Sequence, residues 1–162
     1  MKEKCGVVGI SANSETDVST SIFYGLYALQ HRGQESCGIT TIDDQVYTEK
    51  GMGLVPDFFN YKKLKKLKGT MGIGHVRYST TGGSDIECAQ PFVISHSTGT
   101  LAISHNGNII NTNELKKNLE SSGDAFISSS DTEIIAHLIV KFLAKGMSIV
   151  SAITEVMKKL IG

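Results

Sequence analysis

Chemistry near the head of this chain rests on one thiol, Cys5, the first residue of the apolar run Cys-Gly-Val-Val-Gly-Ile that ends at Ile10. A cysteine attacks as its thiolate, and with an ordinary thiol pKa of about 8.5 it needs a base or a positive neighbour. Removal of residues 1–4 would give Cys5 its own base. A free α-amine has a pKa of roughly 7.7–8.0, so near neutrality it can take the thiol proton directly or through water. Left internal, the same cysteine is a small core residue at the start of a strand.

Three further groups have the right types to serve such a nucleophile. His105-Asn106-Gly107-Asn108 is a turn signal that also offers a side-chain amide at Asn106 and a backbone N–H at Gly107, the two donors an oxyanion hole uses. Arg77 leads into a loop of small hydroxyl residues and glycines at 79–84, and its planar guanidinium matches a carboxylate through two parallel bonds. Asp131 falls in the first turn of an expected helix, where the macrodipole favours a carboxylate whatever else it does. The histidines lack HExxH or paired-ligand spacing, and Cys5, Cys37 and Cys88 contain no CxxC. Neither a zinc site nor a disulfide framework is expected. Gly51-Met-Gly53 is not a dinucleotide fingerprint, because Pro56 occupies the place of the third glycine.

The elements that must hold these groups follow from periodicity. Residues 5–10 form a buried strand, and Asp17 can cap a helix whose Ile22, Leu26 and Leu29 share a face, with Gly33 ending it. The join from Leu29 to Glu35, LQHRGQE, is denser in hydrogen-bonding groups than a helix end requires. Residues 37–42 and 45–50 form a hairpin around Asp43-Asp44. Pro56 opens a helix to about Lys68, with Phe59, Leu64 and Leu67 inward and five lysines forming a solvated face. In the strand at 70–78, Met71, Ile73, His75 and Arg77 share one face, while Gly72 and Gly74 on the other admit a second backbone layer. A strand at 100–104 precedes the Asn106 turn. Capping boxes at Asn111/Glu114 and Ser130/Glu133 start helices to about Ser121 and over 131–145, the latter stopped by Gly146. Ser148 caps a last helix carrying Ile149, Ile153, Val156 and Leu160.

Composition narrows the classes. With 162 residues, 40% apolar and 20% charged, the chain can bury one sizeable core. Sixteen basic residues balance sixteen acidic ones, so no global field argues for nucleic acid. No stretch approaches a membrane span, no secretory signal is present, and unpaired thiols fit a reducing cytoplasm.

Read together, CGVVGI, LQHRGQES, GIGHVRYSTTGGS, AQPF, SHNGNI and SSSDTE, in that order, resemble the glutaminase domain of the amidophosphoribosyltransferase family. These are class II glutamine amidotransferases among the N-terminal-nucleophile hydrolases. HRGQES with HVRYSTTG leans towards this family over glucosamine-6-phosphate synthase, asparagine synthetase or glutamate synthase. The resemblance implies an α+β fold, a four-layer αββα sandwich of two antiparallel sheets between helices. It assigns residues 1–4 to a propeptide and 5–162 to a class II glutaminase domain that lacks its last strands and the phosphoribosyltransferase domain.

By the same resemblance, Cys5 is the nucleophile and its freed α-amine the base, while Asn106 and Gly107 form the oxyanion hole. Arg77 binds the α-carboxylate of glutamine and Asp131 its α-ammonium; Arg32 and Gly33 line the pocket, and Thr80 and Thr81 belong to a closing loop. Ammonia released from glutamine then reacts with phosphoribosyl pyrophosphate in the absent domain, giving phosphoribosylamine for purine synthesis. The whole enzyme is expected to be a homo-oligomer, with any Mg2+ or iron–sulfur cluster outside this segment and not on Cys37 or Cys88. Two rival expectations are a conventional cysteine hydrolase with His75 or His105 as base, and a silent module that binds glutamine without turnover.

Overall fold

The computed structural model describes residues 5–13, 16–78, 85–97 and 99–162, which fall into two compact units divided within 91–92, 101–102 and 106–107. The first is built on strands β1 (Gly6–Ser11), β2 (Ser36–Ile42), β3 (Val46–Met52) and β4 (Met71–Arg77), paired antiparallel in the order β1-β4-β2-β3. β4 therefore has hydrogen-bonded neighbours on both edges. Its register sets His75 opposite Val7 of β1 and Gly38 of β2, with Arg77 opposite Ser36.

Alternation along β4 puts Gly72, Gly74 and Val76 on one face and Ile73, His75 and Arg77 on the other. Helix α1 (Ser19–Ala28) covers the glycine face with Ile22 and Leu26, both fully buried. A Cβ on Gly74 would lie 2.5 Å from Ile22 Cγ2 and 2.9 Å from Leu26 Cδ1. The glycines thus admit aliphatic side chains of a helix, where the sequence suggested a second backbone layer. Val18, Cys37, Ile39, Val55, Phe59, Leu67 and Val76 complete this core, in which each buried Leu, Ile, Val or Phe contributes about 1.5–3 kcal/mol.

The expected helix from Pro56 to Lys68 is two short ones, α2 (Val55–Phe58) and α3 (Tyr61–Leu64). Asn60 interrupts it: its backbone is extended, and its Oδ1 accepts the Lys63 N–H at 3.0 Å, capping α3. Asp17 does not cap α1 either. Its carboxylate accepts the Gly69 N–H at 2.8 Å and pairs with Lys68 at 2.9 Å, while Val18 holds the N-cap position without a side-chain bond.

The second unit contains a two-stranded sheet of β5 (Phe92–His96) and β6 (Gly99–Ile103), whose last residues cross into the first unit, and helices α4 (Thr112–Glu120), α5 (Asp131–Leu143) and α6 (Ile149–Met157). Helix α5 is its spine, burying Ile134, Ile135, Ala136, Leu138 and Ile139 among α4, α6 and β5. Gly146, at φ 82°, follows α5 as expected. Helix α6 turns Ala152 and Val156 inward and leaves Ile149 and Ile153 about two-fifths exposed. Asn111 makes no side-chain cap for α4: its amide donates to Lys159 O at 2.9 Å and accepts the Ile161 N–H at 3.1 Å, tying down the last residues.

Candidate active site

Cys5 precedes β1, and Arg32 bonds both polar groups of its backbone. Its N–H donates to Arg32 O at 2.9 Å, and Arg32 Nε donates to Cys5 O at 2.8 Å. The backbone of Cys5 sits at φ 99°, a left-handed conformation rare outside glycine, which persists only where surrounding contacts enforce it. The thiol meets the end of β4: the Tyr78 N–H points at Sγ from 3.4 Å, and Tyr78 O lies 3.7 Å away. The Asn106 side chain reaches the same residue, Nδ2 donating to Cys5 O at 3.4 Å.

Arg32 belongs to the 3-10 turn Gln30–Arg32 that continues α1, and Gly33 follows it in an extended conformation. Gly33 packs against the backbone of β4, where a Cβ would stand 2.5 Å from Val76 C and 2.8 Å from Arg77 N. Arg77 is itself buried, and Nη1 forms an ion pair with Glu35. Register and ion pair together fix the guanidinium at the same end of β4 as the thiol.

His75, two residues before Arg77 on the same face, is 1% exposed. Its Nε2 lies 3.2 Å from His105 O. A carbonyl only accepts, so Nε2 carries the proton and Nδ1 is bare. Nδ1 is buried with no partner among the described residues, a burden of ~1–3 kcal/mol. Burial pushes the imidazole pKa down to about 4. The imidazole is therefore neutral, with its one proton committed to His105 O. The neighbouring Gln90, 5% exposed, accepts the His105 N–H on Oε1 at 2.7 Å.

Within the second unit, Asp131 opens α5, and Ser130 Oγ caps the helix by accepting the Thr132 N–H. Asp131 Oδ2 accepts the Ile109 N–H at 3.1 Å. Glu133 reaches back as a capping box would, but it holds the preceding loop, accepting the Ile127 and Ser128 N–H groups at 2.9 and 2.8 Å. Of the residues singled out in the sequence, Cys5, Arg32, Gly33, Arg77 and Asn106 lie in the first unit, and Gly107 and Asp131 in the second. Thr80 and Thr81 lie outside the described residues.

Residues 56–154 match the family model described as a glutamine amidotransferase domain. The chain belongs to the glutamine amidotransferase family. Its relatives include amidophosphoribosyltransferases: that of Methanothermobacter thermautotrophicus is 49% identical over 100% of this chain and 35% of its own, and that of Bacillus subtilis is 48% identical over 86% and 29%. A solved structure described as the allosteric regulatory enzyme of purine biosynthesis superposes with a TM-score of 0.85 at 41% identity, covering 95% of this chain and 33% of that one. The glutamine phosphoribosylpyrophosphate amidotransferase of B. subtilis, complexed with ADP and GMP, gives 0.82 at 40% identity, over 96% and 33%. The amidotransferase chain thus has the α+β N-terminal-nucleophile hydrolase fold of these neighbours and spans about a third of their length.

Two groups beside these candidate residues were not singled out in the sequence, Glu35 on Arg77 and Gln90 on His105, and His75 was named there only as a rival base and not as a partner of His105. The density of polar groups in LQHRGQES was the available signal for Glu35. Gln90 carried none beyond its place in AQPF.

Proposed function

We propose that this chain is the glutaminase part of an amidophosphoribosyltransferase, hydrolysing glutamine to glutamate and ammonia through a thioester on Cys5. The observation that carries the reading is the grip on Cys5, whose main chain bonds Arg32 and Asn106 while its thiol faces the Tyr78 N–H. As a peptide nitrogen, Cys5 N has no lone pair to offer; release of residues 1–4 turns it into an amine. Arg32 O then accepts one amine hydrogen and orients the nitrogen, which takes the thiol proton. Sγ attacks the side-chain amide carbon of glutamine, charge develops on the amide oxygen, and the Asn106 amide with the Gly107 N–H receives it. The protonated amine passes its proton to departing ammonia, and water cleaves the thioester by the same route in reverse order.

Arg77 binds the α-carboxylate and Asp131 the α-ammonium, so that a simple amide lacking both charges is not selected. Arg32 and Gly33 line the pocket, and Thr80 and Thr81 close over it. Glu35 neutralises and orients Arg77, whose five donors exceed what one carboxylate can use. In the whole protein, a homo-oligomer, ammonia passes to a phosphoribosyltransferase part and displaces pyrophosphate from phosphoribosyl pyrophosphate. Cys37 and Cys88 are both buried, and among the described residues no group of three or more His, Cys, Asp or Glu is placed to hold a metal ion. A cytoplasmic setting suits three cysteines that form no disulfide among the described residues; no helix of those residues is long and apolar enough to cross a membrane.

The test is glutamine hydrolysis by the full-length protein before and after removal of residues 1–4. Ammonia release only from the cut form, abolished by Cys5→Ala, is the expected result. Hydrolysis that survives Cys5→Ala overturns the reading. Equal activity uncut would transfer the base role to a side chain, and calorimetric binding of glutamine without ammonia release would make the chain a silent module.

A further inference from the structure

The strand face that carries Arg77 also carries a device that the chemistry above does not use. Gly38 lies opposite His75 in the register of β2 with β4. A Cβ on Gly38 would stand 2.2 Å from Gln90 O, so the absent side chain is what lets the Gln90 segment cross the sheet at that point. From there the Gln90 side chain accepts the His105 N–H at 2.7 Å, while His75 Nε2–H donates to the carbonyl of the same residue at 3.2 Å. Both polar groups of the His105 backbone are thereby held by side chains 5% and 1% exposed. The next residue is Asn106, whose side-chain amide reaches Cys5 O.

We propose that His75 and Gln90 are positioning residues for acyl transfer, clamping the His105 backbone from both sides so that the Asn106 amide is aimed at the reacting centre. An apolar side chain would fill the place of His75 without stranding a bare Nδ1 in the interior. What the imidazole adds over such a side chain is the proton on its other nitrogen. Gln90 supplies what a charged residue could not: an acceptor strong enough for one N–H that brings no net charge beside the neutral imidazole. The two act through Asn106, and the inference rests on Asn106 being an oxyanion donor.

The experiment compares two reactions of Cys5 in the processed full-length protein. Glutamine hydrolysis builds an oxyanion; alkylation by iodoacetamide displaces iodide at a methylene carbon and builds none. Four variants are assayed beside the parent: Asn106→Ala, His75→Leu, Gln90→Leu and His75→Gln, the last keeping an N–H at similar reach. Loss of one oxyanion donor costs ~100–1000-fold in kcat, and misplacing it by an ångström ~100-fold. His75→Leu and Gln90→Leu are therefore expected to lower kcat by about 10–100-fold, with KM and the alkylation rate of Cys5, located by peptide mass, essentially those of the parent. His75→Gln should recover most of the loss.

Parent-like kcat in both leucine variants, beside an impaired Asn106→Ala, overturns the positioning role and leaves Asn106 as donor. So does a parallel fall of hydrolysis and alkylation, which marks general damage. Parent-like kcat in Asn106→Ala overturns the oxyanion reading itself. Should His75→Leu fail to fold, Gln90→Leu and His75→Gln decide the question.

Discussion

Replacing Gly33 with alanine, far smaller than any change to a reacting group, should disarm the thiol. The new methyl would meet Val76 C at 2.5 Å and Val76 O at 2.6 Å, against about 3.4 Å for ordinary contact. Some 0.9 Å must therefore be found. β4 cannot supply it, being hydrogen-bonded to β1 and β2 on its two edges. The Gly33 segment yields instead and takes Arg32 with it, stretching bonds of 2.9 and 2.8 Å to Cys5 past the limit of a useful hydrogen bond. Overpacking costs ~1–3 kcal/mol and each lost bond ~0.5–1.5 kcal/mol, about 2–6 kcal/mol together. The control is Gly9→Ala in β1, where the methyl would find only Ile73 Cγ2 at 3.9 Å and the stiffer unfolded chain should return ~0.4–1 kcal/mol. Thermal unfolding of the full-length protein, with alkylation of Cys5 followed by mass, reads both effects. Gly33→Ala should melt several degrees lower and label at an altered rate, while Gly9→Ala should melt no lower than the parent and label at its rate. If the two alanines behaved alike, the close approach of Gly33 to β4 would not be what holds the nucleophile.

Two other outcomes follow from charge and burial. Glu35→Ala removes the Glu35 carboxylate from a guanidinium whose side chain is 9% exposed, a loss of about 3–5 kcal/mol; adding Arg77→Met should restore much of it, and a double-mutant cycle with no coupling would refute the pair. His75 titrates near 6.5 in the unfolded chain and at about 4 when folded, so the unfolded state binds the extra proton between those values. Stability is then full above pH 6.5 and falls by about 3 kcal/mol as pH drops towards 4. Asp17, whose carboxyl is held below its ordinary 3.8 by the Gly69 N–H and by Lys68, contributes below that window. Denaturation midpoints at pH 7.5 and pH 4.5 should differ less in His75→Gln than in the parent; an equally steep acid limb in both would contradict a buried neutral imidazole.

The groups proposed to react stood out in the sequence because their types are costly to place without a use: a thiol heading a strand, an Asn-Gly pair after another, an arginine beside a hydroxyl-rich loop. What served them was not legible, because it depends on contacts distant in sequence. Glu35 meets Arg77 across 42 positions, His75 meets His105 across 30, and local periodicity carries no trace of either. The same limit explains the elements that differed. Apolar spacing runs through Phe59 and Leu67 as though one helix joined them, yet the Asn60 side chain offers Lys63 a better partner than a continuous ladder does. Asn111 and Asp17 have the chemistry of helix caps and spend it on Ile161 and Gly69, partners 50 and 52 positions away. Helix α5 was placed correctly because its cap, apolar stripe and terminal glycine all agree locally.

The notches at Gly72 and Gly74 act as a fulcrum. Helix α1 rests on β4 there through Ile22 and Leu26, and the same helix runs on into the turn that ends at Arg32. At 1.5 Å per residue the arm from Ile22 to Arg32 is ~15 Å long, so a tilt of about 2° at the notch swings its tip by about 0.5 Å. That is comparable to the slack a reacting geometry tolerates. Aim at the thiol is thus set by the seating of two methyl-bearing side chains in a pair of grooves well away from it, and wear at the pivot is magnified at the muzzle.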